Sequence, residues 1–177
     1  MKKIKTPFKG LLIYQNKRFD DKRGFLREVF HKYIIKKNLI FSVTSSSKKN
    51  VLRGLHFQYK FKQAKFVSVI KGKIFDCVVD LRKSSKTFGK SFCIELSEKN
   101  CLSLYIPEGF AHSYYSHSDL NIIYYKLSNY WHPKYEDGLI WNDKNLKINW
   151  PSKKPLVSKK DKELKTFIEF KKKYGAF

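Results

Sequence analysis

Val51-Leu52-Arg53-Gly54-Leu55-His56-Phe57-Gln58 sets an arginine and a histidine three positions apart inside an otherwise apolar, strand-like run. Period-two alternation sends Leu52, Gly54, His56 and Gln58 to one face, and Val51, Arg53, Leu55 and Phe57 to the other. Arg53 and His56 share a cavity only if the strand bulges or twists between them. Gly54 permits such a break, because glycine tolerates unusual dihedrals and a close backbone approach. Taken alone, the octapeptide also fits a hydrogen-bonded core histidine beside a snorkelling edge arginine, so the decision rests on what surrounds it.

Upstream, Gly10 to Tyr14 reads as a strand, followed by the charged turn Arg18 to Gly24 and a second strand over Phe25 to Phe30. Residues 31–38 fit a short helix or a loop. Ser45-Ser46-Ser47-Lys48-Lys49-Asn50 has turn composition and delivers the chain into the octapeptide. Downstream, Lys65 to Ile70 and Ile74 to Leu81 flank Lys71-Gly72-Lys73, which predicts a hairpin. Further strands are expected at Ser91 to Leu96, Cys101 to Ile106 and Asn121 to Leu127. Only the tail, from about Lys160 to Tyr174, has helical periodicity, with Leu164, Phe167, Ile168 and Phe170 apolar. Many short strands separated by Gly and Pro predict an all-β antiparallel sandwich or barrel with a short C-terminal helix.

The chain has 177 residues, 42% of them hydrophobic and 16% aromatic, enough for one sizeable core and no linker-like tract; one domain over residues 1–177 is expected. No apolar run approaches a membrane span and the Lys-rich start lacks a signal-peptide core, so a soluble cytoplasmic protein with no membrane partner is expected. Cys77, Cys93 and Cys101 form no Cys-x-x-Cys pair and predict buried thiols in a reducing compartment. The formal charge of +23 keeps open a non-enzymatic basic β-domain that binds nucleic acid. The lysines are spread along the chain without a basic stripe, and an anionic small substrate accounts for them equally well.

A second polar concentration, Pro107-Glu108-Gly109-Phe110-Ala111-His112, matches Pro-x-Gly-x-x-His, the second half-motif of cupin jelly rolls. The first half-motif of metal-binding cupins needs a His-x-His pair, and here it is Gly54-Leu55-His56-Phe57-Gln58 with one histidine. Two lone histidines fall short of a usual ligand set, so no metal is expected. At this point the chain resembles the dTDP-4-dehydrorhamnose 3,5-epimerases, metal-free cupins. The resemblance runs from about Gly10 to Asp161, through Asp21 to Phe25, Val51 to Gln58, Val79 to Ser84 and Thr87-Phe88-Gly89. It continues through Ile106 to His112, Leu139 to Asp143, Ile148 to Pro151 and Ser158 to Asp161.

The resemblance implies a cupin jelly roll and an isomerase of deoxysugar biosynthesis, feeding dTDP-rhamnose into surface polysaccharide such as lipopolysaccharide. The family inverts C3 and C5 of a nucleotide-linked 4-keto-6-deoxy-hexose through an enolate, with no redox cofactor. A base, an acid on the opposite face and a donor for the enolate oxygen are required. By resemblance His56 is the base, Asp161 the carboxylate that orients it, Tyr125 the proton donor and Lys65 the cation beside the C4 oxygen. Asp80 matches a supporting pocket acid. Arg23 and Glu28 match residues that hold the base across a subunit boundary, which implies a homodimer. Arg53, His112 and Lys160 match phosphate or sugar contacts. Trp131 matches an aromatic that stacks on the thymine ring, with Glu136 in the same loop.

One departure stands out. Where the family usually reads Gln-x-Asn before the Ser-rich turn, this chain has Phe41 and Val43. Two amides that contact substrate become apolar, which predicts altered selectivity for the sugar or inversion at one carbon only. A C3-only epimerase or a ketoisomerase on another nucleotide-linked keto-sugar is the alternative within this fold.

Overall fold

Fourteen short strands, rich in β-branched and aromatic residues, carry the chain back and forth between two sheets. The computed structural model describes residues 1–177. In chain order the strands are β1 (Lys2–Lys5), β2 (Leu12–Gln15), β3 (Arg18–Asp21), β4 (Gly24–Arg27), β5 (Phe41–Ser47), β6 (Val51–Gln58) and β7 (Lys65–Lys71). There follow β8 (Lys73–Asp80), β9 (Ser91–Ser97), β10 (Leu102–Ile106), β11 (Phe110–Ser116), β12 (Asn121–Leu127), β13 (Glu136–Gly138) and β14 (Leu156–Val157), then the helices α1 (Lys159–Lys162) and α2 (Phe167–Tyr174).

One sheet runs β1-β2-β10-β7-β12-β5 and the other β13-β6-β11-β8-β9, with β14 parallel on the edge of β6. Every other pairing is antiparallel, and β3 and β4 form a separate hairpin. This is the all-β antiparallel architecture the strand pattern predicts and the jelly roll the family resemblance implies. The inner faces meet in a core of Val67, Val69, Leu104 and Ile123 from the first sheet against Ile74, Val78, Phe110 and Tyr114 from the second. The outer face of the second sheet is covered too: Leu55, Phe57, Val79 and Ala111 pack under Phe167 and Phe170 of α2. A strand buried on both faces loses its alternation, which is why β8 reads as a near-continuous apolar run.

Four expectations need correction. The runs on either side of Gly72 do not pair with one another: β7 lies in the first sheet and β8 in the second, so Lys71-Gly72-Lys73 is a corner between sheets. Gly72 has φ +82°, and a Cβ there would lie 2.4 Å from the Leu120 carbonyl. A corner and a hairpin turn place the same demand on local sequence, and only the partners tell them apart. Ser45, Ser46 and Ser47 are strand, not turn, because β12 pairs with all of β5, from Asn121↔Ser47 to Leu127↔Phe41. The helical tail is two pieces: α2 begins at a capping box in which Thr166 accepts from the Glu169 N–H and Glu169 accepts in return. Finally, Cys77 and Cys93 face each other across β8 and β9 and are joined as a disulfide, leaving Cys101 alone as a buried thiol.

Candidate active site

The break expected in the opening octapeptide is present. β6 pairs His56 with His112 and Arg53 with Tyr114, so three steps on β6 oppose two on β11. The extra residue is a bulge, and it turns Arg53 and His56 towards one cavity. Gly54 has φ +108°, and a Cβ there would sit 2.6 Å from the His112 carbonyl oxygen and 2.8 Å from Ser113 Cβ. Only glycine fits.

The bulge also frees the Gly54 N–H, which donates to Asp161 Oδ2 at 3.0 Å, while His56 Nε2 lies 2.8 Å from Asp161 Oδ1. Asp161 reaches this position because β14 pairs with the start of β6 and α1 follows at once, its cap Ser158 accepting from the Asp161 N–H. Burial alone raises the Asp161 carboxyl, but hydrogen bonding to His56, the imidazole's charge, the Gly54 amide and Ser158 together hold it below the usual carboxylate range.

A second imidazole–carboxylate pair stands beside the first. His112 Nε2 lies 2.8 Å from Asp76 Oδ2, with both side chains buried. From the opposite sheet come Lys65 on β7 and Tyr125 on β12, both lining the same cavity. Burial pushes the Lys65 ammonium below its ordinary range, partly offset by the charges of Glu136 and Asp76. Burial likewise pushes the Tyr125 phenol well above its ordinary value, with Tyr114 and Asp76 adding to the shift while Ser45 and Arg53 oppose it.

The cavity has a volume of about 750 Å³. Arg53, His56, Lys65, His112, Tyr125 and Asp161 line it, and Trp131, Glu136 and Lys160 complete one wall. Lys160 and Glu136 form an ion pair there, and Trp131 is 55% exposed, leaving a flat aromatic face at the opening. Phe41 and Val43 line the β5 side, the Phe41 ring resting 5.4 Å from that of Tyr130. Eleven of the predicted residues thus converge on one cavity.

Three predicted residues lie elsewhere. Asp80 is fully buried at the end of β8, where Arg82, Ser85 and Thr87 donate to its carboxylate, so it ties down a turn and does not line the cavity. Arg23 sits on the β3–β4 hairpin with its side chain 89% exposed and paired to Asp21. Glu28 lies beside the Met1 ammonium at 3.8 Å. Neither reaches the cavity of its own chain.

Sequence reasoning overlooked Asp76 and the hydroxyls of Tyr114, Ser45 and Ser47. A signal for Asp76 was present, since an acid in the middle of the apolar run Ile74 to Val79 is as anomalous as His56 in β6. The hydroxyls carried none, because serine and tyrosine are ordinary strand residues.

Comparison with known proteins agrees with this geometry. Residues 5–169 match the family model described as dTDP-4-dehydrorhamnose 3,5-epimerase. The enzyme of that name from Shigella flexneri is 40% identical over 96% of this chain and 97% of its own. Its counterpart from Salmonella typhimurium is 42% identical over 89% and 91%. A crystal structure of the Legionella pneumophila 3,5-epimerase in complex with dTDP-4-keto-L-rhamnose superimposes with a TM-score of 0.89 at 37% identity, covering 93% of this chain and 92% of that one. A His–Asp pair open to the cavity, a second, buried pair, a lysine and a tyrosine in the cavity of a jelly roll, on a chain matched over nearly its whole length, lead to one conclusion: this protein belongs to the dTDP-4-dehydrorhamnose 3,5-epimerase family.

Proposed function

We propose that this chain inverts C3 and C5 of a dTDP-linked 4-keto-6-deoxy-hexose, giving a dTDP-4-keto-rhamnose. The observation that carries this reading is the His56–Asp161 pair on one sheet and Tyr125 on the other, opening into a single cavity. Both target carbons flank a ketone, so loss of either proton yields an enolate, and a proton delivered to the other face inverts the centre.

His56 is the base. Asp161 accepts the Nε2–H, which leaves the Nδ1 lone pair free, and the carboxylate stabilises the imidazolium that forms. Tyr125 supplies the proton on the opposite face. Lys65, a poorly solvated cation, stabilises the enolate oxygen more strongly than a hydrated one does. His112, held by Asp76, and Arg53 contact the sugar and diphosphate, and Lys160 with Glu136 secures the nucleotide. Trp131 stacks on the base. Arg23 and Glu28 complete the partner's pocket in a homodimer. Phe41 and Val43 set the selectivity of the β5 wall.

The test is NMR in D2O with dTDP-4-keto-6-deoxyglucose, following deuterium and configuration at C3 and C5. The native protein incorporates deuterium at both carbons and inverts both. His56→Asn lowers both events by about 10²–10⁴-fold while nucleotide binding persists. Undiminished exchange in folded His56→Asn protein overturns the assignment, and inversion at C3 alone redirects the reading to a C3-epimerase.

A further inference from the structure

Along one wall of the cavity, four polar side chains form a hydrogen-bonded line near Tyr125. Arg53 Nε donates to Ser47 Oγ at 3.0 Å, Ser47 Oγ lies 2.9 Å from Tyr114 Oη, and Tyr114 Oη lies 3.1 Å from Ser45 Oγ. Ser45 is two residues along β5 from Val43, the cross-strand partner of Tyr125, so its side chain lies diagonally from Tyr125 on the same face. The line crosses from β6 and β11 in one sheet to β5 in the other, and Ser47 and Tyr114 are buried.

The direction of this line is fixed at one end. Arginine is a donor without an acceptor, so Ser47 can only accept from Arg53, and its own proton is free to point at Tyr114. With Tyr114 donating to Ser45 in turn, the line ends at the Ser45 hydroxyl, which acts on the Tyr125 phenol to lower its proton affinity. In this orientation every O–H dipole points the same way, from a cation towards the atom that becomes negative when Tyr125 gives up its proton. Aligned hydrogen bonds in a dry interior strengthen one another.

We infer that Ser45, Tyr114 and Ser47 are positioning residues for Tyr125, an oriented donor chain anchored on Arg53 that stabilises the phenolate formed when Tyr125 protonates the enolate. The inference rests on the epimerase reading for its consequence in turnover, but not for its structural content. Burial makes the Tyr125 phenol hold its proton more tightly, and Ser45 and Arg53 act against that shift. The His112 ring lies 6.1 Å from that of Tyr125, and the Asp76 charge acts against phenolate formation, which the donors offset.

Step-specific isotope partitioning separates this role from a structural one. An enolate made by His56 can be quenched by His56 itself, giving deuterium with retention, or by Tyr125, giving inversion. In Tyr114→Phe and Ser45→Ala, inversion falls about tenfold, the value of one neutral hydrogen bond, while deuterium wash-in with retention continues at the native rate. An equal fall in both overturns the proposal, because general damage to the pocket affects both faces. Ser45→Thr, which keeps the hydroxyl, restores inversion.

A second measurement needs no substrate and so stands apart from the assigned reaction. In protein labelled with [ζ-13C]tyrosine, the Tyr125 resonance is identified by its loss in Tyr125→Phe. It shifts in Ser45→Ala and in Tyr114→Phe, and stays in place in Tyr124→Phe, whose hydroxyl bonds to Ser42 away from the cavity. A Tyr125 resonance indifferent to Ser45 and Tyr114 rules the chain out whatever the sugar. A responsive resonance with no turnover of the dTDP-sugar keeps the chain and rejects the substrate.

Discussion

Two residues of the cavity carry opposite electrostatic signatures, and each makes a separate prediction. Asp161 is a carboxyl whose folded pKa is depressed, so its contribution to stability is present above the ordinary carboxylate range, near pH 4, and is lost as pH falls through the lower folded value. Asp161→Asn therefore destabilises the protein at pH 7 by about 1–3 kcal/mol, through the lost partners of Gly54 and His56. The difference from native closes in acid, as thermal unfolding across pH 2–7 will show. Lys65 behaves the other way. Its folded pKa is lowered, so the unfolded chain binds the proton more tightly and burying the lysine costs stability at any pH below the ordinary lysine value. Lys65→Met should raise Tm at pH 7, by roughly 2–4 °C for each kcal/mol gained. The gain shrinks as pH approaches the ordinary lysine value, and epimerisation falls about 10²–10³-fold, as for removal of an enolate donor. A variant that is both less active and less stable at pH 7 shows that the lysine is not held at a cost.

The element that most constrains the site is β6, and its weak point is Gly54. Gly54→Ala puts a Cβ within 2.6 Å of a backbone carbonyl at a φ of +108°, and neither a rotamer change nor a flexible neighbour can absorb that contact. The expected cost is about 1–3 kcal/mol from strain, with further loss as β6 and β11 separate. Because Gly54 also donates to Asp161, activity should drop more than stability alone explains; chemical denaturation and kinetics on the same preparation compare the two. The bulge was legible in the sequence, since an arginine and a histidine on opposite faces of one strand need a reason and glycine supplies it. The strand β5 was not. Its Ser45-Ser46-Ser47 has turn composition, and only pairing with β12 and the hydroxyl of Tyr114 holds it extended. Asp76 and Asp80 present a related limit: alternation puts both on one face of β8, yet how far along the strand the cavity lies depends on β11, and sequence cannot supply that depth. Gly72 misled for the same reason, since partners across sheets leave no local mark.

At the scale of the whole molecule, the unfilled part of the reading is the β3–β4 hairpin. Phe19, Phe25 and Leu26 are exposed on it, and Arg23 projects from its tip without touching the cavity of its own chain. Exposed apolar groups on a short hairpin together with an arginine assigned to nucleotide binding are both accounted for if the hairpin lies against a second copy of the chain. Each pocket then takes His56 from one chain and Arg23 from the other. Arg23→Ala and His56→Ala homodimers are separately inactive or nearly so, because each has the same defect in both pockets. In the heterodimer, the pocket built on the Arg23→Ala chain receives a native His56 from itself and a native Arg23 from its partner, while the other pocket carries both lesions. With equal amounts and free exchange, half of the dimers are mixed and half of their pockets are intact, so about a quarter of native activity returns. Exchange under mild denaturant, followed by NMR of epimerisation, measures this. Activity that stays at the sum of the two variants, or a native enzyme that is monomeric by light scattering while fully active, assigns Arg23 to a surface role and closes the pocket within one chain.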